Sequence, residues 1–184
     1  MTRSLPVVLV LASGRGERFI ASGGKGSKLQ ALLAGRPVLE HTLEAVRASG
    51  LPWHVEDAGH PGMGDSIAAA VRATSGAPGW LVLPGDLPLV LPQTLLAVAQ
   101  ALQTQEVVLP VFLGRRGHPV GFGAACRPEL ESLEGNEGAA RVVRARTAIE
   151  IVVDDVGAVT DIDTLEALGE AAKQLAKREG RKES

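Results

Sequence analysis

Leu5-Pro6-Val7-Val8-Leu9-Val10-Leu11-Ala12 runs without a break into Ser13-Gly14-Arg15-Gly16-Glu17-Arg18-Phe19, and a Gly/Ser-rich run then leads to Lys28. An apolar segment of Leu and Val with no alternation predicts a strand buried on both faces, as in the middle of a parallel sheet. Two glycines directly behind it allow a sharp turn that offers backbone N–H groups to a ligand. Arg18 and Lys28 add fixed positive charge beside that loop. Strand, glycine loop and cations together predict a phosphate site at the carboxyl end of a strand. A plain strand-to-helix turn carrying surface cations is the competing reading.

Better-known phosphate loops do not fit. A dinucleotide fingerprint, like a kinase glycine loop, needs a third glycine where Phe19 stands. A P-loop needs Ser or Thr after Gly-Lys and a further glycine five positions before it; Gly24-Lys25 is followed by Gly26, and Phe19 again fills the upstream place. The pattern Leu-Ala-Ser-Gly-x-Gly-x-Arg followed by a lysine instead resembles the signature of nucleotidyltransferases, which accept a nucleoside triphosphate and release pyrophosphate.

With 184 residues, 45% of them hydrophobic, residues 1–184 are expected to form one domain with a core of ordinary size. A net charge of −2 argues against nucleic acid or an anionic membrane as partner. A lone cysteine, Cys126, excludes an internal disulfide framework, and four scattered histidines offer no close zinc spacing. Arg3 and the apolar run imitate a short signal peptide, but cleavage would remove the first strand, so a cytoplasmic protein is expected. Aromatics at 3% make base stacking a poor means of nucleotide recognition.

Periodicity along the chain predicts helices alternating with strands, hence a mostly parallel sheet covered on both faces. A helix through Leu39, Leu43 and Val46 should stop at Gly50. A strand over Trp53–Ala58 and a second glycine loop, 60–64, should follow, with Asp65 or Ser66 capping a helix over Ile67–Thr74. Strands are expected at Trp80–Leu83, Val107–Phe112, Val120–Phe122 and Ile149–Val153, with a helix from Pro92 through Leu102. Glu129–Leu133 and Gly138–Ala145 read as short helices. The last helix places Leu165, Leu168, Ala172 and Leu175 on one face and is expected to fray over Lys177–Ser184.

Nucleotidyl transfer needs positioning and charge neutralisation more than covalent help. Asp86 follows a buried strand, where open α/β sheets bind ligands, and is the first candidate for a Mg²⁺ ligand. Asp161 is the second. Asp163, with Glu166 three residues on, reads as the capping box of the final helix. Asp154 and Asp155 read as solvated. His118, in the loop Gly114-Arg115-Arg116-Gly117-His118, reads as a contact to the acceptor substrate, and Arg116 beside it suits an anionic acceptor.

Gly-Met-Gly-Asp-Ser (62–66), Gly-Asp-Leu-Pro-Leu (85–89), Arg-Gly-His-Pro-Val (116–120), Asn-Glu-Gly-Ala-Ala-Arg (136–141) and Asp-Ile-Asp-Thr (161–164) follow the opening loop in that order. Together they resemble the MobA-like NTP transferases, most of all the molybdenum cofactor cytidylyltransferases. The resemblance spans about residues 5–170. It implies a Rossmann-like, glycosyltransferase-A-type α/β fold in three layers. It also implies Mg²⁺-dependent transfer of a nucleotidyl group onto the phosphate of molybdopterin, with a molybdoenzyme or its chaperone downstream. Carried onto this chain, it implies catalytic roles for Arg18, Lys28 and Asp86. Nucleotide contacts would come from Leu11, Ala12, Ser13, Gly14, Gly16, Arg18, Lys28, Gly64 and Ser66.

Three departures from that pattern stand out. The spacer Ile20–Ser27 is long and glycine-rich, which suggests a mobile flap and lets Lys25 compete with Lys28. Gly50-Leu51-Pro52 runs straight into the Trp53 strand, so one early βα unit is missing and a sheet edge is expected there. Ser13 replaces Ala or Gly; its Cβ narrows the base slot, so CTP is favoured over GTP. Transfer to a sugar phosphate or methylerythritol phosphate is the nearest rival, and a non-catalytic nucleotide- or cofactor-binding accessory protein is the rival from another class.

Overall fold

The computed structural model describes residues 4–14 and 16–182; Arg15 and residues 1–3 and 183–184 lie outside them. In chain order the elements are β1 (Val7–Leu11), α1 (Glu17–Ala21), β2 (Leu32–Leu33), β3 (Arg36–Pro37), α2 (Val38–Ser49), β4 (Trp53–Glu56), α3 (Met63–Ala73), β5 (Gly79–Pro84), α4 (Pro92–Ala101), β6 (Val107–Phe112), β7 (Arg115–Arg116), β8 (Val120–Gly123), α5 (Arg127–Glu131), α6 (Ala140–Ala145), β9 (Ala148–Val152) and α7 (Leu165–Lys182). Among the described residues, no helix is long and apolar enough to cross a membrane.

Seven strands form one sheet in the order β4-β1-β5-β8-β6-β7, with β9 also paired to β6. β1 lies parallel between β4 and β5, and β6 is parallel to β9. β8 runs antiparallel between β5 and β6, and β7 folds back on the end of β6. The sheet is therefore mixed but mostly parallel. β4 ends the order and forms an edge, as the short Gly50–Pro52 connection predicted.

The unbroken apolar run of β1 has its cause in the layers. Val8 and Val10 face a core built with α2 and α4, among them Val46, Leu95 and Val98. Leu9 and Leu11 face the opposite core with α3, α5 and α6, among them Ile67, Leu130 and Val142. Successive strand residues point to opposite faces, so only a strand covered on both sides uses every position for burial. Each fully buried leucine contributes about 1.5–3 kcal/mol. A third cluster seats Ala171 and Leu168 of α7 on Leu33, Val38 and Leu89.

Several local expectations are corrected by contacts distant in sequence. α3 starts at Met63, one turn before Ile67, so neither Asp65 nor Ser66 caps it. The Asp65 carboxylate instead accepts from the Gly135 amide at 3.0 Å. At Gly62 a Cβ would lie 2.2 Å from the Gly135 carbonyl oxygen, a close approach that only glycine allows. Arg115–Arg116 form β7 and are not loop. Asp155 is 2% exposed, not solvated: it accepts from Thr94 Oγ1 at 2.6 Å, Gly157 N at 2.8 Å and Leu91 N at 2.9 Å. α7 spans Leu165–Lys182. Its first turn is capped by Thr164, whose Oγ1 accepts from Ala167 N at 3.1 Å, and by Ser22 Oγ, which accepts from Leu165 N.

Candidate active site

β1 and β5 end side by side, and the backbone locks their two loops together. Gly85 N donates to Leu11 O at 2.9 Å, and Thr42 Oγ1 donates to Gly85 O at 2.8 Å. Ile162 N then donates to Asp86 O at 2.9 Å, which brings the acidic turn 161–163 against the end of β5. A cleft of about 390 Å³ opens there, between the Gly14–Gly16 loop, the start of α3 and these acids.

One end of the cleft is charged. Lys28 Nζ lies 2.5 Å from Asp86 Oδ2 and 2.7 Å from Asp163 Oδ1, and Arg18 reaches Asp163 Oδ2 at 2.6 Å. Burial alone would lower the Lys28 pKa, but the two carboxylates outweigh it and hold the ammonium above its usual value. Asp163 is likewise raised by burial, yet its bond to Lys28 leaves it below the usual carboxylate range. Asp161 is pushed up, by burial first and then by the neighbouring Asp163. Asp86, Asp161 and Asp163 offer oxygens that all lie within 4.8 Å of one another. Asp86 Oδ1 is buried with no hydrogen-bond partner among the described residues. Three carboxylates with a spare buried oxygen form a donor set suited to a hard divalent cation.

Gly16 has φ +63° and caps α1, and the Lys28 stem packs beside it at ordinary contact distance. Glycine suits the position because the chain turns there in the left-handed region. The spacer before Lys28 folds as a turn over Phe19: a Cβ on Gly24 would strike that ring at 2.3 Å, and Gly24 N donates to Phe19 O at 3.0 Å. Ser27 then caps a short turn over Lys28–Gln30. Lys25 is exposed and does not line the cleft.

The other end of the cleft carries Ser13, His60, Pro61, Met63, Ser66 and Asn136, with no Lys or Arg among them. Leu11, Gly14 and Gly16 also line the cleft. Ala12 does not; its amide donates to Glu56 O at 2.9 Å. Gly64 also lies outside, its amide donated to Gly135 O at 2.7 Å and its α-carbon packed on Glu134. Arg116 is exposed and paired with Glu150 at 2.7 Å, away from the cleft. His118 is half-buried and does not line the cleft. Burial lowers its pKa against the opposing pull of Asp86, and its Nδ1 has no hydrogen-bond partner among the described residues. Sequence reasoning missed Asp163, whose capping-box spacing concealed it, although it shares the Asp-x-Asp turn with Asp161. His60 and Asn136 carried no local signal beyond their glycine-rich surroundings.

Such a fold, with cations and carboxylates meeting at a glycine loop beside strand ends, is an α/β architecture whose candidate ligand site lies at the carboxyl ends of parallel strands. The profile of the MobA-like NTP transferase domain matches residues 44–150, more than half of the chain, and the chain belongs to that family. The chain is 31% identical over 118 residues to the purine catabolism protein PucB of Bacillus subtilis, a match covering 61% of this chain and 57% of PucB. It is 29% identical over 143 residues to the bifunctional protein GlmU of Geobacter metallireducens, covering 65% of this chain and 29% of GlmU. The chain thus spans little over half the length of the first relative and under a third of the second.

Among solved structures, Rv0371c of Mycobacterium tuberculosis superposes with a TM-score of 0.79 at 23% identity, covering 94% of this chain and all of that one. Its manganese complex superposes at 0.72 and 21% identity, covering 92% and 99%. Molybdopterin-guanine dinucleotide biosynthesis protein A of Archaeoglobus fulgidus superposes at 0.66 and 19% identity, covering 93% and 99%. These likenesses establish the shared fold.

Proposed function

We propose that this protein is a divalent-cation-dependent nucleotidyltransferase that moves CMP from CTP onto the phosphate of a molybdopterin-type acceptor. The observation that carries the reading is the joining, in one cleft, of Gly14, Gly16, Lys28 and Arg18 with Asp86 and Asp163, to which Asp161 adds an oxygen within 4.8 Å of both. Lys28 and Arg18 offset the β- and γ-phosphate charge, and the loop amides approach the phosphate chain. An acceptor phosphate oxygen attacks the α-phosphorus, the Pα–O bond to the β-phosphate breaks, and pyrophosphate leaves. Mg²⁺ on Asp86, Asp161 and Asp163 would supply the charge neutralisation that this displacement needs. The manganese complex of a protein with the same fold is consistent with a cation at these acids.

The preference for cytosine rests on Ser13, which lines the uncharged end and carries a Cβ where relatives with glycine leave room for a purine. The acceptor rests on the family and on the name of the A. fulgidus neighbour. Pyrophosphate release measured with CTP, Mg²⁺ and molybdopterin tests the reading. Release that depends on all three supports it; release with a sugar phosphate in place of molybdopterin reassigns the acceptor, and none with any acceptor leaves a binding protein.

A further inference from the structure

The uncharged end of the cleft is organised by one residue outside it. Glu56 ends β4 and is 7% exposed. Its carboxylate accepts from Ala58 N at 3.2 Å and meets the Nε2 atoms of His60 at 3.1 Å and His54 at 3.4 Å. Its backbone carbonyl accepts from Ala12 N at 2.9 Å and from Ser13 Oγ at 3.1 Å. Glu56 therefore fixes two walls of the cleft at once, Ser13 from one loop and His60 from another.

Burial alone would raise the Glu56 pKa, but the Ala58 amide and the two imidazoles outweigh it and hold the carboxyl below its usual range. An ionised carboxylate only accepts, so the ring nitrogen facing it carries the proton. A neutral His60 that donates from Nε2 keeps its lone pair on Nδ1, an acceptor. The Ser13 hydroxyl donates its one hydrogen bond to the Glu56 carbonyl, so its Oγ also has only lone pairs to offer. Two side chains at the nucleoside end are thus set as acceptors, a pattern that suits a ligand donor.

Building on the nucleotide reading above, we propose that His60, positioned by Glu56, reads the exocyclic amino group of the nucleobase and so separates cytosine from uracil. The two bases have the same size, and the steric effect of the Ser13 Cβ cannot tell them apart. They differ in polarity: cytosine presents an amino donor where uracil presents a carbonyl acceptor. A carbonyl oxygen against Nδ1 and the Ser13 Oγ leaves lone pairs facing lone pairs, which desolvates all of them without a bond.

The test is calorimetric titration of the full chain with CTP and with UTP at pH 8 in Mg²⁺ and without acceptor, so that no turnover intervenes. Wild type should bind CTP at least about tenfold more tightly than UTP, and His60→Ala should bring the ratio near unity, mostly by weakening CTP. His60→Gln, whose amide oxygen again accepts, should restore part of the ratio. Nitrogen-15 NMR of wild type should show the His60 proton on Nε2, a readout that needs no variant to fold. Equal CTP and UTP affinity in wild type, a ratio indifferent to His60→Ala, or a proton on Nδ1 overturns the proposal. Pyrophosphate release with a ratio indifferent to His60 sinks this inference alone. A His60-dependent ratio without release in any acceptor assay sinks the transfer reading and leaves this one standing.

Discussion

Lys28 Nζ lies 2.5 Å from Asp86 Oδ2, deep in the cleft, with each side chain only 12% exposed. The ammonium thus rests among the same carboxylates that would hold a divalent cation, and the two positive groups compete for them. Lys28→Met should raise the affinity for Mn²⁺ measured without nucleotide, while weakening CTP binding about tenfold or more. Unchanged Mn²⁺ affinity, read by electron paramagnetic resonance, would mean that the lysine and the cation use different oxygens.

Asp86→Ala should lower kcat by at least about a hundredfold and leave the protein folded, since the backbone bonds at Gly85 and Asp86 do not use the carboxylate and Lys28 keeps its pair with Asp163. Single-turnover kinetics with circular dichroism of the same sample check both halves. Near wild-type turnover in a folded variant would remove Asp86 from the mechanism.

Arg18→Ala should weaken CTP by several-fold and CMP much less, because the guanidinium stands beside Asp163 at the charged end, where it would face phosphates that CMP lacks. Titration with both nucleotides at low and high salt checks this. Equal weakening of CTP and CMP would place the triphosphate elsewhere.

Asp161 carries a pH signature. Its folded-state pKa is raised above the usual 3.8, so its favourable contribution is present below that value and is lost as pH rises through the folded value. As pH rises above 3.8, Asp161 therefore costs stability. Asp161→Asn should raise the melting temperature at pH 7 and leave it unchanged near pH 3, while weakening Mn²⁺ binding. A variant that melts lower at pH 7 contradicts the assignment.

Ser13→Gly should move the CTP/GTP ratio of kcat/KM towards GTP, within the roughly 10–200-fold that a single small group contributes to size discrimination. The change also frees the Glu56 carbonyl from the Ser13 hydroxyl, which loosens the cleft wall on that side. A wild-type preference for GTP would sink the cytidine reading outright.

Where local chemistry sufficed, the sequence by itself determined the outcome. The apolar run of β1, the Gly50 stop of α2 and the bounds Val107–Phe112 of β6 were all legible, since burial on two faces and glycine's freedom act within one element. The glycine loop with Arg18 and Lys28, and Asp86 at the end of β5, were legible for the same reason. Only the tertiary structure decided which residues share the cleft. Asp163 obeys the spacing of a helix cap, yet its carboxylate goes to Lys28 and Arg18 because the Ile162–Asp86 backbone bond carries the turn to the end of β5. Asp155 reads as solvated until α4 is packed beside it, and nothing in the sequence shows that Gly64 packs against the 134–135 loop. His60 gains its orientation from a carboxylate on the sheet edge. In each case the deciding partner is distant in the chain, and residue type and spacing carry no record of a hydrogen bond that forms only when separate segments are folded together.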